Sequence, residues 1–130
     1  MTDPLDSPNF GDWLVIARKD RGRIDIMLEE DDVEAAAFFL QQSLEKHLKA
    51  FLLKNGWKLK KVHELDALLD DASKFDNGLE RFRDLCERVS GYYFAERYPP
   101  LGTIELTRED IEKDVGEAGQ FIACLFPEEE

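Results

Sequence analysis

A chain of 130 residues, 43% hydrophobic and 35% charged, is one domain's length and can bury roughly two thirds of its unfolded surface around a single core. Its formal net charge of -12 and isoelectric point near 4.6 set a field that repels anionic backbones, which argues against a protein that wraps extended nucleic acid. Cys86 and Cys124 are too few and too far apart for a zinc site, no apolar run is long enough for a membrane span, and MTDPLDSPNF lacks the basic start and apolar core of a secretory signal, so the expectation is a reduced, cytoplasmic protein without a membrane segment.

The first predicted helix covers Phe10 to Glu29, with Trp13, Ala17, Ile24, Met27 and Leu28 inward. Its charged middle, RKDRGR, is expected to face water, and Gly22 weakens it locally. The second runs through AAAFFLQQSLEKHLKAFLLKNG, Ala35 to Gly56, opened by Asp31 with Glu34 three residues on and closed by Asn55-Gly56. On a helical wheel Ala37, Leu40, Leu44, Leu48 and Phe51 form one line, a core seam. Roughly opposite lie Gln42, Lys46 and Lys49 with Glu45 at their edge, yet Phe39 and Leu53 share that half. Two readings follow. In the first, the helix is central and touches two neighbours, its polar group being a solvated strip steadied by a Glu45 to Lys49 pair. In the second, that polar group lines a groove shared with another subunit.

From Lys46 to Lys61 there are six lysines and no acid, a cationic end for the helix dipole or a local anion site. A short third helix, His63 to Ser73, buries Leu65, Leu68, Leu69 and Ala72; His63 is placed to start it, its ring bonded to a nearby backbone group. The fourth, Gly78 to Tyr98, carries Leu79, Phe82, Cys86, Val89 and Tyr93 at helical spacing and is stopped by Pro99-Pro100. GTIEL, Gly102 to Leu106, is the one short extended candidate. The fifth helix starts at a TRED cap on Thr107 and runs through Ile111, Val115, Ala118, Ile122 and Leu125 to Pro127, before the solvated PEEE tail.

This pattern predicts an all-α, single-domain chain over residues 1–130: an up-and-down four-helix bundle with one additional short helix. The broad apolar wrap of the second helix, with Tyr92, Tyr93 and Phe94 in succession on the fourth, exceeds one seam and suggests a homodimer. A catalytic constellation is hard to assemble. His47 and His63 have no partner at metal-ligand spacing, and His47 flanks the core seam. No glycine-rich phosphate loop occurs, and GEAG sits inside a helical pattern. Arg97 either satisfies carbonyls at the end of its helix or points its fork of donors at a phosphate.

The stretch AAAFFLQQSLEKHLKAFLL, then Lys61-Val62-His63-Glu64-Leu65 and YYFAERYPP, resembles the HEPN domain, the higher-eukaryote and prokaryote nucleotide-binding domain, over Trp13 to about Leu125. Its best-matched residues are Gln41, Gln42, Glu45, Lys46, Leu48 and Lys49, then His63 and Leu65, then Arg97, Tyr98 and Pro99. The resemblance implies a dimeric helical bundle similar to the C-terminal domain of kanamycin nucleotidyltransferase, often the partner of a minimal nucleotidyltransferase in prokaryotic toxin–antitoxin pairs. Some branches are metal-independent RNases using an arginine, four to six intervening residues and a histidine. Here Arg88 is followed at those distances by Tyr93, Phe94 and Ala95, and Phe39 stands where relatives commonly carry histidine.

The expectation is therefore a non-catalytic, homodimeric protein that binds a nucleotide, ATP or GTP, or a nucleotidyltransferase, with no other cofactor. Lys46, Lys49 and Arg97 would contact the anion, with Gln42 beside them, and His63 and Tyr98 would shape the groove. The alternatives are a metal-independent RNase toxin, against which the missing motif counts, and a purely structural interaction protein.

Overall fold

The computed structural model describes residues 7–94 and 106–127, and among them it has five α-helices, two 3-10 turns and no strand. Helix α1, Phe10–Glu29, begins where the Asn9 side chain accepts from the Gly11 amide at 2.9 Å, satisfying an orphan donor of the first turn. The Trp13 indole anchors the preceding segment by donating to the Ser7 carbonyl at 2.8 Å. Buried along this helix are Trp13, Ala17, Asp20, Ile24 and Leu28, three or four residues apart. Met27 is half-buried, and Asp20 departs from the expectation that the whole charged middle faces water.

Asp31 turns the chain into α2 with φ of 58°, a left-handed conformation that a short polar side chain tolerates. The cap of α2, Val33–Lys54, is therefore Asp32, which accepts from Ala35 N at 3.1 Å, and not Asp31 as the sequence pattern suggested. At the other end Gly56, with φ of 89°, lets its own amide donate to Leu53 O at 3.1 Å and the Trp57 amide reach back to Leu52 O at 2.9 Å. That pair of bonds is a Schellman closure, and it needs a left-handed residue where Gly56 stands.

The extended segment 57–64 packs Trp57, Leu59 and Val62 against the core while Lys58, Lys60 and Lys61 are exposed. Helix α3 spans Leu65–Ser73, and its first amide donates to Ser90 Oγ at 3.2 Å. The single long helix expected from Gly78 to Tyr98 is broken: a 3-10 turn, Asn77–Phe82, precedes α4, Arg83–Ser90, and another, Gly91–Phe94, follows it. Asp76 caps the first turn by accepting from the Gly78 amide at 2.9 Å, and Gly91 is a weak helix former at the second boundary. Ala95 to Tyr98, and GTIEL up to Glu105, lie outside the described residues.

Helix α5, Arg108–Leu125, starts as predicted at Thr107, whose hydroxyl accepts from Asp110 N at 3.1 Å. Arg108 in its first turn reaches across the bundle, donating to Leu28 O at 2.5 Å and to Asp31 Oδ1 at 3.0 Å. Helix α2 is the axis of the assembly, touched by α1, α3, α4, α5 and the second 3-10 turn. Its seam of Ala37, Leu40, Leu44 and Leu48 is sealed, each leucine contributing about 1.5–3 kcal/mol of burial. Phe82 and Phe121 stack at 4.6 Å between the centroids where α5 closes on the first 3-10 turn. Among the described residues no helix is long and apolar enough to cross a membrane.

Candidate functional site

What covers the polar side of α2 is α1. Asp20 lies on the buried stripe of α1, and its carboxylate meets the Lys46 ammonium at 2.6 Å through Oδ2 and the Arg23 guanidinium at 2.7 Å through Oδ1. Lys46 also donates to Gln42 Oε1 at 3.1 Å, and Gln42 Nε2 donates to Gln41 Oε1 at 2.7 Å. Gln41 passes the chain on, its Nε2 donating to Glu45 Oε1 at 3.2 Å and to the His63 carbonyl at 3.3 Å. Glu45 Oε2 then accepts from Lys49 at 3.1 Å and faces His63 Nδ1 at 3.2 Å. Below this, the Lys49 ammonium sits 5.1 Å from the centre of the Trp13 ring, and Ser43 Oγ donates to the Ala17 carbonyl at 3.0 Å.

The direction of every bond in this network follows from donor and acceptor inventory. Lys46 can only donate, so the atom of Gln42 beside it is oxygen, and its nitrogen therefore faces Gln41. Carboxylate and carbonyl oxygens can only accept, so Gln41 turns its nitrogen to Glu45 and His63 and its oxygen to Gln42. The two amides are locked by chemistry at both ends. The same logic puts a hydrogen on His63 Nδ1 and leaves Nε2 as the basic nitrogen of the neutral ring. Among the described residues three cations, Arg23, Lys46 and Lys49, stand against two carboxylates, Asp20 and Glu45, so this part of the network carries a positive excess in an acidic protein.

Lys46, Lys49 and Glu45 are buried and only Gln42 is half-buried, so the solvated strip is corrected: its charges are the joint between α1 and α2. The wheel put Lys46 and Lys49 on one face, and the structure splits them between separate carboxylates. His63 is exposed, precedes α3 rather than starting it, and sends its ring to Glu45 rather than to a backbone group. That ring also stacks on Tyr93 at 6.2 Å and 23°. Arg97 and Tyr98 lie outside the described residues. Of the basic run, Lys54, Lys58, Lys60 and Lys61 are exposed; Lys54 covers the Phe10 and Phe126 rings at the end of α2, and Lys60 pairs with Asp71 at 3.7 Å. His47 is fully buried, its Nδ1 2.9 Å from the Ser43 carbonyl.

A second polar cluster joins α4 to α5. The Asp114 carboxylate, buried on the stripe of α5, accepts from Arg88 at 2.9 Å and from the Tyr92 hydroxyl at 2.7 Å, with Glu117 at 3.4 Å from the same guanidinium. Burial pushes the Tyr92 phenol above its ordinary range, and its bond to Asp114 adds to that; the Asp114 bond likewise raises Arg88. Burial lifts the Cys86 thiol to about 12, which makes it inert, while Cys124 is half-buried and accepts from Arg81 at 3.0 Å. Among the described residues no group of three or more histidines, cysteines and carboxylates could hold a metal ion.

Asp20, Arg23 and Asp114 went unsingled in the sequence, although a periodic signal was there for two of them. Asp20 falls between Ala17 and Ile24, and Asp114 between Ile111 and Ala118, each at the spacing of a buried stripe. In comparison with known proteins, the family model described as the HEPN domain matches residues 10–129. No curated protein and no solved structure matches the chain.

Proposed function

Because the chain belongs to the HEPN domain family, we propose that it is a non-catalytic member that binds a nucleotide at the open edge of the α1–α2 network. In this reading Arg23 and Lys46 attract the phosphates, and Gln42 and the His63–Tyr93 stack face the base. The protein acts as a homodimer and as the partner subunit of a minimal nucleotidyltransferase, in the manner of a toxin–antitoxin pair. The observation that carries the reading is the network's excess positive charge, placed beside an exposed imidazole stacked on a phenol. A local cation excess focuses an anion even when the net charge is -12, and a stacked ring accepts any base face.

Titration calorimetry with ATP and GTP tests it. Arg23→Ala with His63→Ala changes two side chains that reach solvent, so the fold should persist while affinity drops by about tenfold or more. Absence of heat with the unaltered protein would remove the nucleotide. Gel filtration at the mass of one chain would remove the dimer, and failure to co-purify with a nucleotidyltransferase encoded beside it would remove that partner.

One observation favours a second reading, metal-independent RNA cleavage. Tyr93 stands at one of the distances from Arg88 where the RNase branches carry histidine, and the His63 ring lies against it with Nδ1 held by Glu45. A carboxylate-oriented imidazole is a competent general base. Against it, Arg88 is engaged by Asp114 and Glu117. Intact RNA after incubation with the protein and a chelator disposes of this reading; loss of cleavage in His63→Ala would support it.

A further inference from the structure

We propose that the outer face of α1 is a docking surface, and that its occupant is an acidic amphipathic helix of a partner protein. This surface is separate from the nucleotide edge and does not depend on it.

Among the described elements only α2 packs along α1, which leaves the opposite side of α1 uncovered. Val15 and Ile26 stand on that side with 53% and 54% exposure, the highest of the large hydrophobic side chains described. A single exposed aliphatic residue means little. These two are three helical turns apart, about 16 Å along the axis, and Lys19 and Gly22 fall on the line between them. The four positions run i, i+4, i+7, i+11, so they share about 60° of arc and repeat the spacing of an a/d seam. Helix α1 therefore carries two seams. Trp13, Ala17, Ile24 and Leu28 are buried, whereas Val15, Lys19, Gly22 and Ile26 are exposed.

Nothing inside the chain requires a glycine at position 22. Its backbone is not left-handed, and a Cβ there would meet no atom within 4 Å. Glycine at such a place weakens an exposed helix, but it also lowers the seam between its aliphatic ends, where a second helix can cross closely.

Lys19 decides what kind of helix that is. A lysine within an apolar seam calls for a facing carboxylate, and so selects both the register and the partner. From Val15 through Arg23 every exposed charge is positive, since Asp20 is buried. A second copy does not fit. Laid antiparallel on the same face it would turn about a point between Asp20 and Arg21, bringing Lys19 and Arg23 of both copies together, and laid parallel it would set Lys19 on Lys19. Nucleic acid would answer the cations, but it has no use for two aliphatic anchors and meets a net charge of -12.

The probe is a synthetic peptide of about three heptads, with leucine at the a and d positions and glutamate beside them, read by fluorescence anisotropy. One control carries lysine in place of the glutamates, the other serine in place of the leucines. The acidic amphipathic peptide should bind at least about tenfold more tightly than either control. Lys19→Glu and Ile26→Ser, both at exposed positions, should each weaken it by about tenfold and leave the far-ultraviolet circular dichroism unchanged. Lys19→Glu should also gain affinity for the lysine peptide, an exchange that a merely structural defect does not produce. No binding of the acidic peptide, equal binding of the serine control, or full affinity in either variant would overturn the proposal. So would a change in sedimentation mass on Ile26→Ser, which would give the face to a second copy.

Discussion

Asp20 and Asp114 are both aspartates buried on a helix stripe, both joined to a neighbouring helix by a cation, yet they sit in opposite settings. Asp20 is met by a largely enclosed ammonium, with side-chain exposures of 3% and 10%, in addition to the half-exposed Arg23, in a network where cations outnumber carboxylates among the described residues. Asp114 is met by a guanidinium whose side chain is 44% exposed, and with Glu117 it gives that cluster a carboxylate excess. Burial of a carboxylate therefore reports a structural joint in both places. It is the charge left over, and the depth of the partner, that separates a place able to attract an anion from one that is not.

Four measurements sharpen or break this contrast. The largest effect should come from Lys46→Ala, which removes the enclosed partner of Asp20 and leaves it only the half-exposed Arg23; urea unfolding should report a loss of about 3 kcal/mol, and Lys46→Met combined with Asp20→Leu should recover most of it. A loss below about 1 kcal/mol would mean that water reaches Asp20 and that the two joints are alike. Asp114→Ala should cost less, about 1.5–3 kcal/mol, because Arg88 and Tyr92 can turn to solvent.

The third measurement is alkaline titration of stability. The folded-state pKa of Tyr92 lies above its unfolded value, so the folded chain keeps a proton that the unfolded chain releases. The stabilisation is complete below about pH 10 and falls as pH rises beyond it, with a ceiling of about 1.4 kcal/mol per pH unit that solvent screening of a half-buried phenol reduces. Tyr92→Phe should flatten that fall. The smallest effect belongs to Glu117→Gln, whose exposed pair with Arg88 should contribute no more than about 0.5 kcal/mol by the same unfolding assay.

The helices and their seams were legible because periodicity reports which residues share a face. The line from Ala37 through Leu48 and the Thr107 cap are found where the pattern put them. Periodicity does not report what covers a face. The group Gln42, Glu45, Lys46 and Lys49 read as solvated because each residue is polar, whereas the register of α1 on α2 places Asp20 against Lys46, and that register is a tertiary fact. The break between α4 and its flanking 3-10 turns was hidden for a related reason. Leu79, Phe82, Cys86 and Val89 keep helical spacing through it, since a tighter turn shifts side chains by little over so short a stretch. His63 was picked out, but its anchor was not, because Glu45 lies eighteen residues away on another element.

Arg108 has a consequence for the order in which the molecule comes apart. Helix α1 has no basic residue in its own last turn, and the cation at that end, bonded to the Leu28 carbonyl, is lent by the first turn of α5 from 80 residues further along the chain. Amide exchange at the C-terminal turn of α1 should accordingly track the opening of α5, although α1 packs on α2. The last turn of α1 and the first turn of α5 would then open as one cooperative unit, and Arg108→Ala would uncouple their clocks.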